Sequence, residues 1–110
     1  MKEAALIYVV RFWVAPETLA AVMQWLEGGH VREVVSQPGF LWCRRLDLKH
    51  SDDKGWSAHS MIYGIESRAA FDAYSANSAL LTKFAGEREP FAGTMRMERF
   101  FGDVSLTVDS

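Results

Sequence analysis

Residues 5–14 read Ala-Leu-Ile-Tyr-Val-Val-Arg-Phe-Trp-Val, a run of β-branched and aromatic residues that predicts a strand. One face of this strand carries Leu6, Tyr8, Val10, Phe12 and Val14, and the other carries Ile7, Val9, Arg11 and Trp13. Both faces are apolar apart from Arg11. We therefore expect a central strand that is covered on both sides, and the rest of the chain must supply that cover.

Two helical segments and three further strands follow this strand. Leu19, Val22, Met23 and Leu26 have helical spacing, and Gly28-Gly29 interrupts the pattern before Pro38-Gly39 ends it. Strands are predicted at 40–48, 56–65 and 94–104, with a polar loop at 50–55 and a second helix after Ser67 that weakens at 75–77. The order β-α-β-β-α-β predicts an α+β, ferredoxin-like fold in which a four-stranded antiparallel sheet carries both helices on one face.

The other face of the sheet needs a cover of its own. No linker, repeat or charge block divides residues 1–110, so we expect a single domain. An open sheet face bearing Arg11, Trp13 and further aromatic residues is an apolar patch too large for a monomer. We therefore expect a homodimer packed sheet to sheet, in the form of a dimeric α/β barrel.

Composition excludes several classes of protein. The chain has 12 basic and 14 acidic residues, without the basic excess of a nucleic-acid-binding domain. Its single Cys43 forms no internal disulfide, and no apolar run reaches the roughly 18 residues that span a membrane. Glu3 follows Lys2, which argues against a signal peptide, so a cytoplasmic protein is expected. Neither metal-ligand spacing nor a phosphate-binding loop is present, so we expect no metal and no cofactor.

Two segments carry a resemblance to a known group of proteins. Trp25-Leu26 and His30 lead through Val34-Val35-Ser36-Gln37 to Pro38-Gly39-Phe40, and residues 65–74 open the second helix. The chain resembles the dimeric α/β-barrel superfamily, which includes antibiotic-biosynthesis monooxygenases, methylmuconolactone isomerases, EthD-like proteins and polyketide cyclases. Within it, the chain is most similar to an uncharacterised bacterial group. The resemblance implies the fold and leaves the reaction open.

His30 and Arg11 are the first candidate catalytic residues. His30 lies four residues after Leu26 and is either a general acid/base or a helix-terminal histidine bonded to a backbone carbonyl. In several relatives the matching position points toward the cavity, and this resemblance puts the first role on an equal footing with the second. Arg11 either binds a substrate oxyanion or carboxylate, or pairs with Glu98 on the fourth strand.

The remaining candidates lie on the first three strands and on the second helix. His59 and Tyr63 share one face of the third strand and, with Arg11 or Arg45, would form a polar catalytic cluster. Alternation does not say whether this face or the face of Ser60 lines the cavity. Four further residues are expected to bind substrate, and they are Trp13, Trp42, Arg45 and Phe84.

These residues predict a cofactor-independent enzyme acting on a small, hydrophobic, oxygen-bearing molecule. Proton transfer by His30 and oxyanion binding by Arg11 would drive isomerisation, cyclisation or lyase chemistry on an aromatic, lactone or polyketide-like substrate, as in aromatic catabolism. The alternatives are a cofactor-free monooxygenase of the antibiotic-biosynthesis type and a non-catalytic ligand-binding dimer.

Overall fold

The computed structural model describes residues 3–52 and 54–110 and has the predicted order of elements. The strands are β1 (Leu6–Val14), β2 (Phe40–Ser51), β3 (Ser57–Ile65) and β4 (Met95–Asp103). The helices are α1 (Leu19–Trp25), α2 (Val31–Val35), α3 (Arg68–Ser75) and α4 (Ser78–Arg88). Short 3-10 turns span Pro16–Thr18 and Glu89–Phe91. The predicted α+β ferredoxin-like fold is confirmed. Asp53, in the predicted hairpin loop, lies outside the described residues.

The four strands form one antiparallel sheet in the order β2-β3-β1-β4. β1 therefore lies between two neighbours, as its two apolar faces predict. In this register Arg11 lies opposite Ser60 on β3 and opposite Glu98 on β4. Because paired residues share a face, these pairings fix which side chains lie together across the sheet.

The core lies between the sheet and the helices. The largest fully buried side chains come from both layers, and they are Phe12, Leu6, Ile65, Val14, Val22 and Val34. Tyr8, Phe12 and Tyr63 are buried on the helix-facing side. Alternation along β1 therefore turns Arg11 and Trp13 to the other side, which we call the outer face.

The interruption predicted at Gly28-Gly29 is a π turn that spans Leu26–His30. The backbone N–H of Val31 donates to the carbonyl of Leu26, five residues earlier. Gly29 has φ 155°, a value that glycine adopts far more readily than other residues. The turn joins α1 to α2 and sets the direction of the His30 side chain.

The second helical segment is also divided. Ser67 caps α3 by accepting a hydrogen bond from the backbone N–H of Ala70, and Asn77 caps α4 through the N–H of Leu80. The weak point predicted at 75–77 is therefore a true boundary between two helices. Each helix in the described part of the chain is too short or too polar to cross a membrane.

The outer face carries a close contact between two strands. Gly64 lies directly under the indole ring of Trp42, and a Cβ atom at this position would overlap that ring. Phe100 and Leu46 are 53% and 47% exposed on the same face. This side of the sheet therefore exposes large apolar side chains in the single chain.

Candidate functional site

A cavity of about 470 Å³ lies between the helix-facing side of the sheet and the helices. This volume suits a small organic ligand. Eight of its 20 lining residues are aromatic, and they are Tyr8, Phe12, Trp25, Tyr63, Phe71, Tyr74, Phe84 and Phe101. Ser75, Arg99 and Phe101 line the cavity and are exposed, so they mark its mouth.

His30 enters this cavity from the π turn. Its ring stacks on Trp25, with centroids 4.0 Å apart, and meets the edge of Phe84 at 4.5 Å. The Nδ1 atom is buried, and the Oε1 atom of Glu87 lies 3.9 Å away. Burial lowers the pKa of His30 to about 4 and outweighs the opposing effect of Glu87. The imidazole is therefore neutral at pH 7.

Charged side chains on α2 and α4 contact the Trp25–His30 stack on its solvent side. The indole Nε1 of Trp25 donates to Glu87 Oε1 at 3.1 Å, and Lys83 Nζ lies 3.2 Å from Glu87 Oε2. Lys83 also binds Glu33, at 2.6 Å. A shallow hollow on the solvent side of the helices is lined by Glu33 and Glu87 and shares Trp25 and His30 with the cavity. The stacked pair is therefore the wall between cavity and solvent.

Two arginines lie among the cavity residues, and Arg88 is the more buried of them. Burial lowers the pKa of Arg88, and the positive charge of Arg99 adds to that effect. Burial raises the pKa of Tyr8, which Arg99 opposes, and raises the pKa of Tyr74 to about 12. Arg88 and Arg99 carry positive charge at neutral pH. No Asp or Glu is found among the described residues that line the cavity. The cavity therefore favours an anionic group.

Three of the residues predicted from the sequence are brought together in this cavity: His30, Tyr63 and Phe84. Tyr63 is 2% exposed, and burial raises the pKa of its hydroxyl. A group this reluctant to ionise acts as a hydrogen-bond donor at neutral pH. Phe84 packs against His30 and so helps to hold the imidazole in place.

Arg11, Trp13 and Trp42 lie on the outer face, so the prediction that they share a cleft with His30 is wrong. The Arg11 guanidinium carbon lies 5.1 Å from the centroid of Trp13, and that of Arg96 lies 4.4 Å from the same ring. Arg44 covers Trp42 in the same way, at 5.1 Å. These are cation–π contacts on the outer face of the sheet.

His59 and Arg45 lie on the helix-facing side but are not among the residues that line the cavity. The face of Tyr63 therefore lines it, and the face of Ser60 does not. His59 binds Asp47 and Ser57, and Arg45 binds Glu27 at 2.8 Å. The predicted cluster of His59 and Arg45 with Tyr63 in one pocket is not formed.

Three residues of the cavity were not among those predicted from the sequence, and they are Trp25, Arg88 and Arg99. Arg99 lies two residues from both Met97 and Phe101 on β4, so the three share a face, and Arg88 follows Phe84 by four residues on α4. Both spacings place an arginine on a face that is otherwise apolar, and this pattern in the sequence could have identified both arginines as cavity residues. In the described residues, no group of three or more His, Cys, Asp or Glu side chains is placed to hold a metal ion.

The chain belongs to the family described as Domain of unknown function (DUF4286), which matches residues 5–96. No functionally curated protein matches it in sequence.

Solved structures show the same fold. A Deinococcus radiodurans protein classed with the antibiotic biosynthesis monooxygenases has a TM-score of 0.72 at 11% identity, covering 96% of this chain and 97% of its own. The ActVA-Orf6 monooxygenase of Streptomyces coelicolor, solved with nanaomycin D, has a TM-score of 0.66 at 20% identity, covering 97% and 93%. The haem degrader MhuD of Mycobacterium tuberculosis has a TM-score of 0.68 at 21% identity, covering 94% and 99%. Likeness at these identities establishes the fold alone.

Proposed function

We propose that this chain is a small-molecule enzyme whose cavity binds a flat, hydrophobic molecule carrying an ionised oxygen. The observation that carries the proposal is the pairing of an aromatic wall with Arg88 and Arg99 as its charged lining residues. Aromatic walls bind flat ring systems, and guanidinium groups bind carboxylates, phenolates and enolates.

The reaction that this site supports best is oxygenation without a cofactor. An isomerase or cyclase that works through His30 needs a group whose pKa lies near the working pH. The pKa of His30 is about 4, so its neutral ring is a weak base at pH 7. An oxygenase of this kind needs a less basic histidine, because the electrons that reduce O₂ come from the ionised substrate.

The proposed reaction needs no outside reductant. A CH₂ group activated by the ionised ring oxygen loses a proton and gives electrons to O₂, forming a C–O bond, and the peroxide oxygen takes up a proton in its place. The resulting hydroperoxide loses water and leaves a carbonyl, so one oxygen atom of O₂ enters the product and the other enters water. Arg88 and Arg99 would stabilise the substrate anion, and the largely apolar wall would limit the access of water.

We further propose that two copies associate through the outer face. The exposed Phe100 and Leu46 flank the half-buried side chains of Val9 and Ile62 on this side of the sheet. Burying this surface against a second copy would remove it from water. Sedimentation should give a dimer for the wild type and a monomer for Phe100→Asp. A wild-type monomer at micromolar concentration would rule out the dimer.

The function is tested with a tricyclic hydroxyanthrone as ligand. Quenching of tryptophan fluorescence, to which Trp25 in the cavity wall contributes, measures binding, and an oxygen electrode measures O₂ uptake in buffer that contains a chelator. Arg88→Gln and Arg99→Gln should each weaken binding about tenfold, which corresponds to about 1.4 kcal/mol. Arg32→Gln, on the exposed side of α2, is the matched control and should bind like the wild type.

Three outcomes would contradict the proposal. Equal affinity for the O-methylated anthrone would show that the ionised oxygen is not recognised. Tight binding without O₂ uptake would favour the non-catalytic binding module. Tight binding of haem, with a Soret shift lost in His30→Ala and no binding of the anthrone, would show that the cavity binds haem and not the proposed class of substrate.

A further inference from the structure

Three polar side chains outside the cavity form a hydrogen-bonded line across β2 and β3. The Oγ atom of Ser57 lies 2.8 Å from Nε2 of His59, and Nδ1 of the same ring lies 2.8 Å from Oδ1 of Asp47. Ser57 and His59 share a face of β3, and Asp47 is the cross-strand partner of His59 on β2. Serine, histidine and aspartate are thus connected in the order that activates a hydroxyl nucleophile.

The chemistry of Asp47 fixes the direction of each bond. An ionised carboxylate only accepts hydrogen bonds, so Nδ1 of His59 must carry the proton that faces Asp47. When the ring carries a single proton, Nε2 is then an acceptor, and the hydroxyl of Ser57 donates to it. The imidazole is therefore oriented as a general base toward Ser57.

The surrounding residues hold this geometry. His59 is 6% exposed, and its ring stacks on Phe12 with centroids 5.1 Å apart. The guanidinium Nε of Arg45 lies 3.4 Å from the Asp47 oxygen that binds the histidine. Ser57 is only half-buried, so part of this residue is open to solvent. Phe12 also lines the cavity, and its ring therefore lies between the two sites.

We propose that Ser57 is an activated nucleophile that accepts acyl groups from activated esters, with His59 as its base and Asp47 as a positioning residue. Ser57 Oγ attacks the ester carbonyl while its proton passes to His59 Nε2. The bond to the leaving alkoxide breaks, and the alkoxide takes that proton. Water then hydrolyses the acyl-serine by the same route, so ester and water give acid and alcohol.

The first experiment is covalent labelling of the full-length protein with an alkyl fluorophosphonate, followed by mass spectrometry. Phosphonylation forms a bond between Ser57 Oγ and phosphorus and releases fluoride together with the hydroxyl proton. We expect one label per chain on Ser57, and no label in Ser57→Ala. Ser51→Ala is the matched control, because Ser51 is exposed and lies directly across from Ser57 in the sheet register. It should label at the wild-type rate.

A second measurement separates activation from a purely structural cluster. Asp47 is 61% exposed, so water screens its charge, and we expect Asp47→Asn to slow labelling and p-nitrophenyl acetate hydrolysis about tenfold. Nitrogen-15 shifts of the His59 ring should show the Nδ1–H tautomer in the wild type. Absence of label on Ser57 in the folded wild type would overturn the proposal, as would equal labelling rates in the wild type and Asp47→Asn. The labelling result does not depend on whether the protein oxidises anthrones, because Ser57, His59 and Asp47 lie outside the cavity.

Discussion

The indole of Trp25 lies nearly parallel to the imidazole of His30, with 4.0 Å between ring centroids and 20° between ring planes. In a regular α-helix, side chains meet when they are three or four residues apart. Trp25 and His30 are farther apart along the chain, and the five-residue hydrogen bonding of the π turn brings them together. The stack is therefore a consequence of the backbone at Gly28-Gly29.

Gly29→Ala should disrupt this turn, because φ 155° is strained for any residue with a Cβ atom. We expect a loss of about 1–3 kcal/mol in the free energy of unfolding, measured by urea denaturation. Gly28→Ala is the control, since Gly28 has ordinary backbone angles and open space around it. Equal stabilities for the two variants would show that the turn does not depend on Gly29.

Trp25→Phe should keep a ring against His30 but remove the hydrogen bond to Glu87. Since Glu87 is partly exposed, we expect a modest loss of about 1 kcal/mol in the free energy of unfolding. Trp56→Phe changes an indole outside the cavity and should cost less. A larger loss in Trp56→Phe than in Trp25→Phe would contradict the assigned role of the bond.

The low pKa of His30 predicts a specific dependence of stability on pH. The unfolded chain, with a histidine pKa near 6.5, binds a proton that the folded chain takes up only near pH 4. The contribution of neutral His30 to the free energy of unfolding should therefore be fully present above pH 6.5. It should be lost, by up to about 3 kcal/mol, as the pH drops toward 4. His30→Gln should lack this component, so the two denaturation curves should converge at low pH. Parallel curves between pH 4 and 7 would exclude a buried neutral His30.

Gly64→Ala tests the contact on the outer face. The added methyl group would overlap the indole of Trp42, and we expect a loss of about 1–3 kcal/mol from overpacking. In a Trp42→Val background the same change should cost little. A double-mutant cycle measures this coupling, and strict additivity would mean that the two side chains do not interact.

The order of elements was predictable because local patterns determine it. The alternation in β1, the Pro38-Gly39 stop and the weak point at 75–77 all correspond to features of the structure. The faces of the sheet were harder to assign. β1 is apolar on both sides, so alternation placed Arg11 and Phe12 on opposite faces without saying which face the helices cover.

The site was predictable in part for the same reason. His30 was found because its distance from Leu26 places it on an apolar stripe, and the π turn keeps it there. The link from Ser57 through His59 to Asp47 depends on the register of β2 against β3. That register shifts between the pairs formed by Asp47 and by Ser51, and alternation in a single sequence does not show such a shift. Tertiary pairing, which local spacing does not encode, decides which polar residues meet.

The two arginines that line the cavity offer a way to find the ligand. Arg88 and Arg99 repel each other, and no acidic residue among the described lining neutralises them. A bound anion would relieve that repulsion and add its binding energy to the stability of the fold, about 2.7 kcal/mol at a hundredfold excess over Kd. The melting temperature can therefore rank a library of aromatic acids and phenols, and the heating curve becomes an assay that needs no knowledge of the reaction.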